Sequence, residues 1–219
     1  MMSDSTKIIL VRHGQSIGNL TRTFLGHTDL DLSEMGYLQA KTTAERLKNE
    51  KIDKIYSSDL KRAYNTALFH AKIRNLDVIS SVNLREAFAG EWEGKNVDEL
   101  IEIWGMEMFA DQWKARFGLF TFPAGESIKD AGIRFYNEIL AISRQNQGKT
   151  ILIAAHAAVI RAFWAIISGV AWENVADTIP FATNASYSVL TFDGKKFIPL
   201  EYSNDEHLLG VGITKVNLI

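Results

Sequence analysis

No cysteine occurs among the 219 residues. Its absence excludes a disulfide framework, a thiolate zinc site and any cysteine nucleophile. Proline is scarce, at three, and no Gly/Ser-rich stretch interrupts the chain, so nothing in the composition marks a linker between independent domains. Charge of one sign is also missing: 24 Lys and Arg against 26 Asp and Glu give a formal net charge of -2. That balance excludes an overall basic field for nucleic acid or an anionic membrane surface, while leaving room for a local basic pocket. Long apolar runs are absent too. The longest, "AAVIRAFWAIISGVAW", is broken by Arg161 and falls short of a membrane span. The polar start "MMSDSTK" precedes an apolar run too short for the core of a secretory signal. The expectation is a cytoplasmic protein with neither a nucleic-acid nor a membrane partner.

What is present is a hydrophobic fraction of 47%, enough to bury a real core, distributed in alternating strand-like and helix-like pieces. "KIILV" reads as a buried strand. A Ser33 cap opens a helix over "SEMGYLQAKTTAERLKNE", with Tyr37, Ala40, Ala44 and Leu47 on one face. "KIYSS" is a second strand, "DLKRAYNTALFHAK" a helix and "DVISS" a third strand. From Ser127 a helix places Ile128, Ala131, Phe135, Ile139 and Ile142 in register. "TILIAA" is a further buried strand, "AVIRAFWAIIS" a mostly buried helix, and "SYSVLTFDGKKFIPLEY" a hairpin turning at Asp193-Gly194. Between them, residues of about 87–125 are rich in Trp, Phe and Met with poor alternation, and read as an inserted helical cap whose aromatics (Trp92, Trp104, Phe109, Trp113, Phe117, Phe120 and Phe122) form its core, with one or two reaching a pocket. The pattern predicts one α/β domain over 1–219: a three-layer α/β/α sandwich with a mostly parallel sheet.

In such sheets ligands bind beyond the carboxyl ends of the strands, and three strand ends share a layout. "KIILVRHG" ends on Arg12 and His13. "TILIAAH" ends on His156 and passes straight into a helix. "KIYSSDLKRA" puts Arg62 in the first turn of the next helix, against the helix dipole. Two guanidiniums, two imidazoles and a helix N-terminus around one point describe a phosphate site. Gly14 permits close backbone approach, and a histidine among such donors can act as a nucleophile.

Six blocks in order, "LVRHGQSIGN", "FLGHTDLDLSEMGYLQA", "IYSSDLKRAYNTA", "LREAFAGEWEG", "PAGES" and "AAHAAVIRAF", resemble the histidine phosphatase superfamily, which includes cofactor-dependent phosphoglycerate mutases. The resemblance makes His13 the phosphate-accepting nucleophile. It makes Arg12, Arg62 and His156 phosphoryl ligands, Asn19 a further donor and Glu86 the proton donor, with Glu91 and Glu93 its near neighbours in sequence. By the same likeness Gly14 and Ala157 belong to the phosphate-binding set. Relatives commonly carry glycine or another small residue where Ala157 stands, and its methyl narrows the pocket. His13 must attack as neutral imidazole, so its other ring nitrogen needs an acceptor; His156 is expected to be protonated or donating. Fixed cations then take the place of a metal, and no cofactor is expected.

"GEWEGK" points to the phosphatase branch and to hydrolysis of a small phosphate ester. Mutase-type phosphoryl transfer is the alternative, and a binding module that has lost catalysis the second. "DLDLS" is read as a loop closed by the Ser33 cap rather than the aspartate motif of a magnesium-dependent phosphatase. His70 is placed on a helix surface, His207 near the tail and His27 in a loop able to approach substrate. The residues select no single phosphate ester and no oligomeric state, a homodimer being one the sequence allows.

Overall fold

Parity along the first strand sorts the core into two layers. β1 (Thr6–Arg12) sends Ile8 and Leu10 into one apolar cluster and Ile9 and Val11 into another, as successive side chains of a strand must. β4 (Thr150–Ala155) does the same with Ile151 and Ile153 against Leu152 and Ala154. A computed structural model describes residues 5–214; residues 1–4, where the polar start begins, residues 215–219 and the side chain of Phe109 lie outside the described residues.

The remaining strands are β2 (Lys54–Ser58), β3 (Val78–Ser81), β5 (Tyr187–Phe192) and β6 (Phe197–Asn204). They form one sheet in the order β3-β2-β4-β1-β5-β6. The first four strands in that order pair in parallel, while β5 and β6 are antiparallel. This is the mostly parallel sheet the alternating pattern predicts.

Helices are α1 (Ile17–Thr21), α2 (Glu34–Arg46), α3 (Lys61–Arg74), α4 (Val97–Trp104), α5 (Ile128–Gln145), α6 (Ala157–Ser168) and α7 (Val175–Thr178). Apolar residues of α3 join the Ile9/Val11 cluster, and those of α5 and α6 join the Ile8/Leu10 cluster, giving helices on both faces. Ser33 caps α2 by accepting the Gly36 N–H, so "DLDLS" is loop and cap. No helix among the described residues is long and apolar enough to cross a membrane.

Between residues 87 and 125 the chain makes α4, an eight-residue π-helix (Met108–Ala115) and short 3₁₀ turns instead of strands. Trp92, Trp113, Phe117, Phe120 and Phe122 are buried there, and Trp104 is half-buried. Phe24 from the loop after α1 packs edge-on against Trp113 at 5.3 Å.

Two placements differ from the sequence reading. Tyr37 is exposed, because its hydroxyl is turned out to Asp31 and Asn65. His70 is fully buried instead of superficial. It shares the stripe of Ala63, Ala67 and Ala71, which α3 turns inward, and among the described residues neither of its ring nitrogens has a partner.

Candidate active site

The register of the parallel strands brings the site together. Arg12 lies opposite Ala155 in the β1–β4 pairing, and His13 donates its backbone N–H to Ala155 at 3.0 Å. The next residue on each strand is therefore a histidine, and the two rings meet edge-on with centroids 5.2 Å apart. β2 runs parallel on the far side of β4 and feeds α3, whose second residue is Arg62. Arg12, His13, Asn19, Arg62, Glu86 and Ala157 line one cleft of about 590 Å³.

The nucleophile candidate has the acceptor its chemistry requires. His13 Nδ1 stands 2.7 Å from the Gly14 carbonyl oxygen, which can only accept, so Nδ1 carries the proton and Nε2 keeps its lone pair. Burial, then Arg62 and Arg12, hold the His13 pKa well below the usual imidazole range. His156 is lowered in the same way, by burial first and Arg62 second. Of the two states expected for His156, protonated or donating, the neutral ring with one N–H free to donate is the one this environment favours. Neither of its ring nitrogens has a protein partner among the described residues.

Both guanidiniums are buried and held by backbone carbonyls on one edge only. Arg12 donates to Ala182 O at 2.6 Å, and Arg62 to Gly26 O at 2.7 Å and Thr28 O at 2.9 Å. Among the described residues neither has a carboxylate within ion-pair distance. Burial pushes each down to about 10, leaving both cationic at neutral pH. Glu86 offsets part of this charge from across the cleft, and two buried cations with no direct ion pair match an anion that takes both.

Glu86 reaches the same cleft from the loop after β3. Its Oε1 accepts from the Ala87 and Val159 N–H groups, and its Oε2 accepts from Ala158 N–H at 3.0 Å. It therefore caps α6, whose own N-cap His156 supplies no side-chain bond. Glu93 does different work. Its Oε1 accepts from His27 N–H and Ala89 N–H, and its Oε2 from Thr28 Oγ1, which folds the loop whose carbonyls hold Arg62.

A profile of the histidine phosphatase superfamily (branch 1) matches residues 8–205. The chain belongs to that superfamily. Phosphoserine phosphatase 1 of Hydrogenobacter thermophilus is 33% identical over 206 residues, covering 92% of this chain and 94% of that protein. The 2,3-bisphosphoglycerate-dependent phosphoglycerate mutase of Bartonella tribocorum is 34% identical over 175 residues, covering 77% and 84%. Among solved structures, Bacillus stearothermophilus YhfR superposes with a TM-score of 0.85 at 27% identity, over 93% of this chain and 99% of that one. Histidine phosphatases with phosphatase and mutase names both stand among the relatives, so the chain is a hydrolase-type or phosphoryl-transfer enzyme by kinship.

Within this histidine phosphatase fold, His156 is fully buried behind His13 and is not among the residues lining the cleft, and two further residues fall elsewhere than the sequence reading put them. Gly14 does not line the cleft: its N–H donates to Thr66 Oγ1, and a Cβ there would stand 2.3 Å from Gly36 O. The close approach it permits is to α2. His27 does not line the cleft either, because its Nε2–H donates to the Glu86 carbonyl at 2.9 Å.

Other residues escaped the sequence reading altogether. Asn184 Nδ2 donates to Asn19 Oδ1 at 3.0 Å and to His13 O at 3.2 Å. With Ser16 N–H on the same Oδ1, the Asn19 amide is oriented and its Nδ2 is left as a donor. Arg134 pairs with Glu126 at 2.8 Å and donates to the carbonyls of Asn83, Arg85 and Glu86, pinning the loop that carries the carboxylate. Glu126 lies in the "PAGES" block, to which the sequence reading gave no role.

Three buried imidazoles make stability sensitive to acid. His13 and His156 are lowered as above, and burial, followed by Arg74, takes His70 down to about 3. Below the unfolded value near 6.5 the unfolded chain binds a proton at each and the native chain does not, so stability falls as pH falls. For His70 the cost is expected to be about 2 kcal/mol between roughly pH 7.5 and pH 5, and His13 and His156 add to it in the same direction. In urea unfolding at those two pH values, His70→Leu is expected to show a loss about 2 kcal/mol smaller than the wild type.

Proposed function

We propose that the protein is a metal-independent phosphomonoesterase that hydrolyses a small phosphorylated metabolite through a phosphohistidine on His13. The observation that carries this reading is the fixed tautomer of a neutral His13 beside two buried guanidiniums that no carboxylate ion-pairs among the described residues.

In the first step His13 Nε2 forms a bond to phosphorus as the ester P–O bond breaks. Arg12, Arg62, Asn19, the N–H of His156 and the backbone N–H of Ala157 take the equatorial oxygens, whose charge grows in the transition state. Glu86 Oε2 accepts one N–H and has a remaining position for a proton, which goes to the departing alkoxide. In the second step the Glu86 carboxylate takes a proton from water, whose oxygen attacks phosphorus, and the P–N bond breaks to restore neutral His13. The guanidiniums supply the positive charge that a metal ion would otherwise bring. The 87–125 segment acts as a cap over this centre.

Inorganic phosphate release from para-nitrophenyl phosphate with excess chelator tests the reading, run beside isomerisation of 3-phosphoglycerate. Steady release that chelator does not slow, persisting at mildly acidic pH because His13 stays neutral there, is the expected outcome of an acid-phosphatase-type enzyme. Isomerisation without release would mean a mutase, and an inert wild type a binding module.

A further inference from the structure

The cleft has two chemically distinct ends. Every charged or imidazole side chain that lines it, Arg12, His13, Arg62 and Glu86, belongs to the phosphate end. The rest of its wall is Phe24, Leu25, Trp113, Phe122 and Phe181 with small alanines, and Thr23 is the sole polar residue away from the phosphate end among the described lining residues. Thr23 Oγ1 lies 2.8 Å from Thr21 Oγ1, so that hydroxyl already has a partner.

The buried and half-buried cations of neighbouring elements are engaged elsewhere, and Lys114 and Arg116, beside Trp113 and Phe117 in sequence, are exposed and do not line the cleft. Arg161 lies 4.3 Å from the Phe181 ring and 4.4 Å from Phe117, and it donates to the carbonyls of Val175, Ala176 and Ile179. It braces the aromatic wall and does not line the cleft. Arg134 is taken by Glu126 and three carbonyls, and Arg22 by Asp98. A carboxylate, an ammonium or a second phosphate entering this end would lose its hydration and meet no opposite charge.

We infer that the ester group opposite the phosphate is uncharged and apolar, aryl or branched alkyl, and that it lies against Trp113, Phe122 and Phe181. The inference rests on the phosphomonoesterase reading and narrows it. It separates this chain from relatives whose names specify phosphoserine or phosphoglycerate.

The test compares two esters with primary alkoxide leaving groups, so that leaving-group reactivity does not decide the result. Benzyl phosphate is expected to exceed phosphoserine in kcat/KM by about 100-fold, the scale of discrimination that pocket contacts supply. Phe181→Leu, and Trp113→Ala if it folds, are expected to shrink that ratio about 10-fold. Calorimetric titration of the wild type with benzylphosphonate and 2-carboxyethylphosphonate asks the same question without turnover, and the apolar ligand is expected to bind at least about 10-fold more tightly. Preference for phosphoserine, or for the carboxylate ligand, would overturn the inference and leave the phosphatase reading intact. No turnover of any ester would overturn the phosphatase reading, while the phosphonate pair would still decide what the aromatic wall accepts.

Discussion

His13→Ala is expected to lower turnover by about 10⁵-fold or more, the scale seen when a covalent nucleophile is removed. The Nε2 lone pair is the only group in the proposed sequence that forms a bond to phosphorus, so no partial substitute exists. The alanine variant should still fold. Among the described residues the imidazole is held by a hydrogen bond to the carbonyl of its neighbour Gly14, and its removal leaves the β1–β4 register in place. Two readings separate chemistry from damage. Denaturant unfolding at neutral pH should show a loss of no more than about 2–3 kcal/mol for the cavity left by the ring. Alkaline quenching during turnover should trap a phosphoryl group on the wild-type chain and none on the variant, because a phosphorylated imidazole survives base and is lost in acid. Trapping on His13→Ala would move the covalent step to another residue.

The second large effect belongs to Glu86→Gln, and it is expected to depend on the leaving group. For an alkyl phosphate the departing alkoxide needs a proton, so the loss should fall in the range of about 10²–10⁴ for a missing general acid. For para-nitrophenyl phosphate the phenolate leaves unaided, and the first step should survive. The second step then lacks its base, so the phosphoenzyme should accumulate as a burst of nitrophenol followed by slow release of phosphate. Glutamine keeps an oxygen for the Ala87 and Val159 N–H groups but turns its amide toward the Ala158 N–H, at a stability cost of about 1–3 kcal/mol. That cost shifts the unfolding midpoint equally in either assay, whereas the difference between alkyl and aryl esters comes only from proton transfer. Equal losses in kcat/KM for both esters, with no burst of nitrophenol, would assign Glu86 to capping α6 alone.

The four residues at the strand ends were legible because the signal is local. A β-branched run stopping at Arg12-His13, a second stopping at His156 and a helix opening on Arg62 each occupy a few consecutive residues, and the rule for parallel sheets brings such ends together. Ser33 as a cap and Asp193-Gly194 as a hairpin turn were legible for the same reason. His70 was recoverable as well: it follows Ala63 and Ala67 at helical spacing, and reading it by residue type instead of by stripe put it on the surface. The sheet order and the positions of Glu93, Arg134 and Asn184 gave no such signal. Asn184 meets His13 and Asn19 across 171 and 165 positions, and Arg134 meets Glu86 across 48, so no window of sequence contains both partners.

The amino-acid order alone determined the inventory of this protein: alternating strands and helices, no thiol, no metal-ligand spacing, and a histidine beside an arginine where a buried strand runs out. Periodicity and strand ends are properties of neighbours along the chain, which is why they survive without coordinates. Tertiary structure decided which nitrogen of His13 is free, that His156 is neutral, that Gly14 serves α2 instead of the ligand, and that the far end of the cleft is aromatic and uncharged. Each of those depends on distances and desolvation between residues remote in sequence, and only the folded chain brings such residues within a few ångströms.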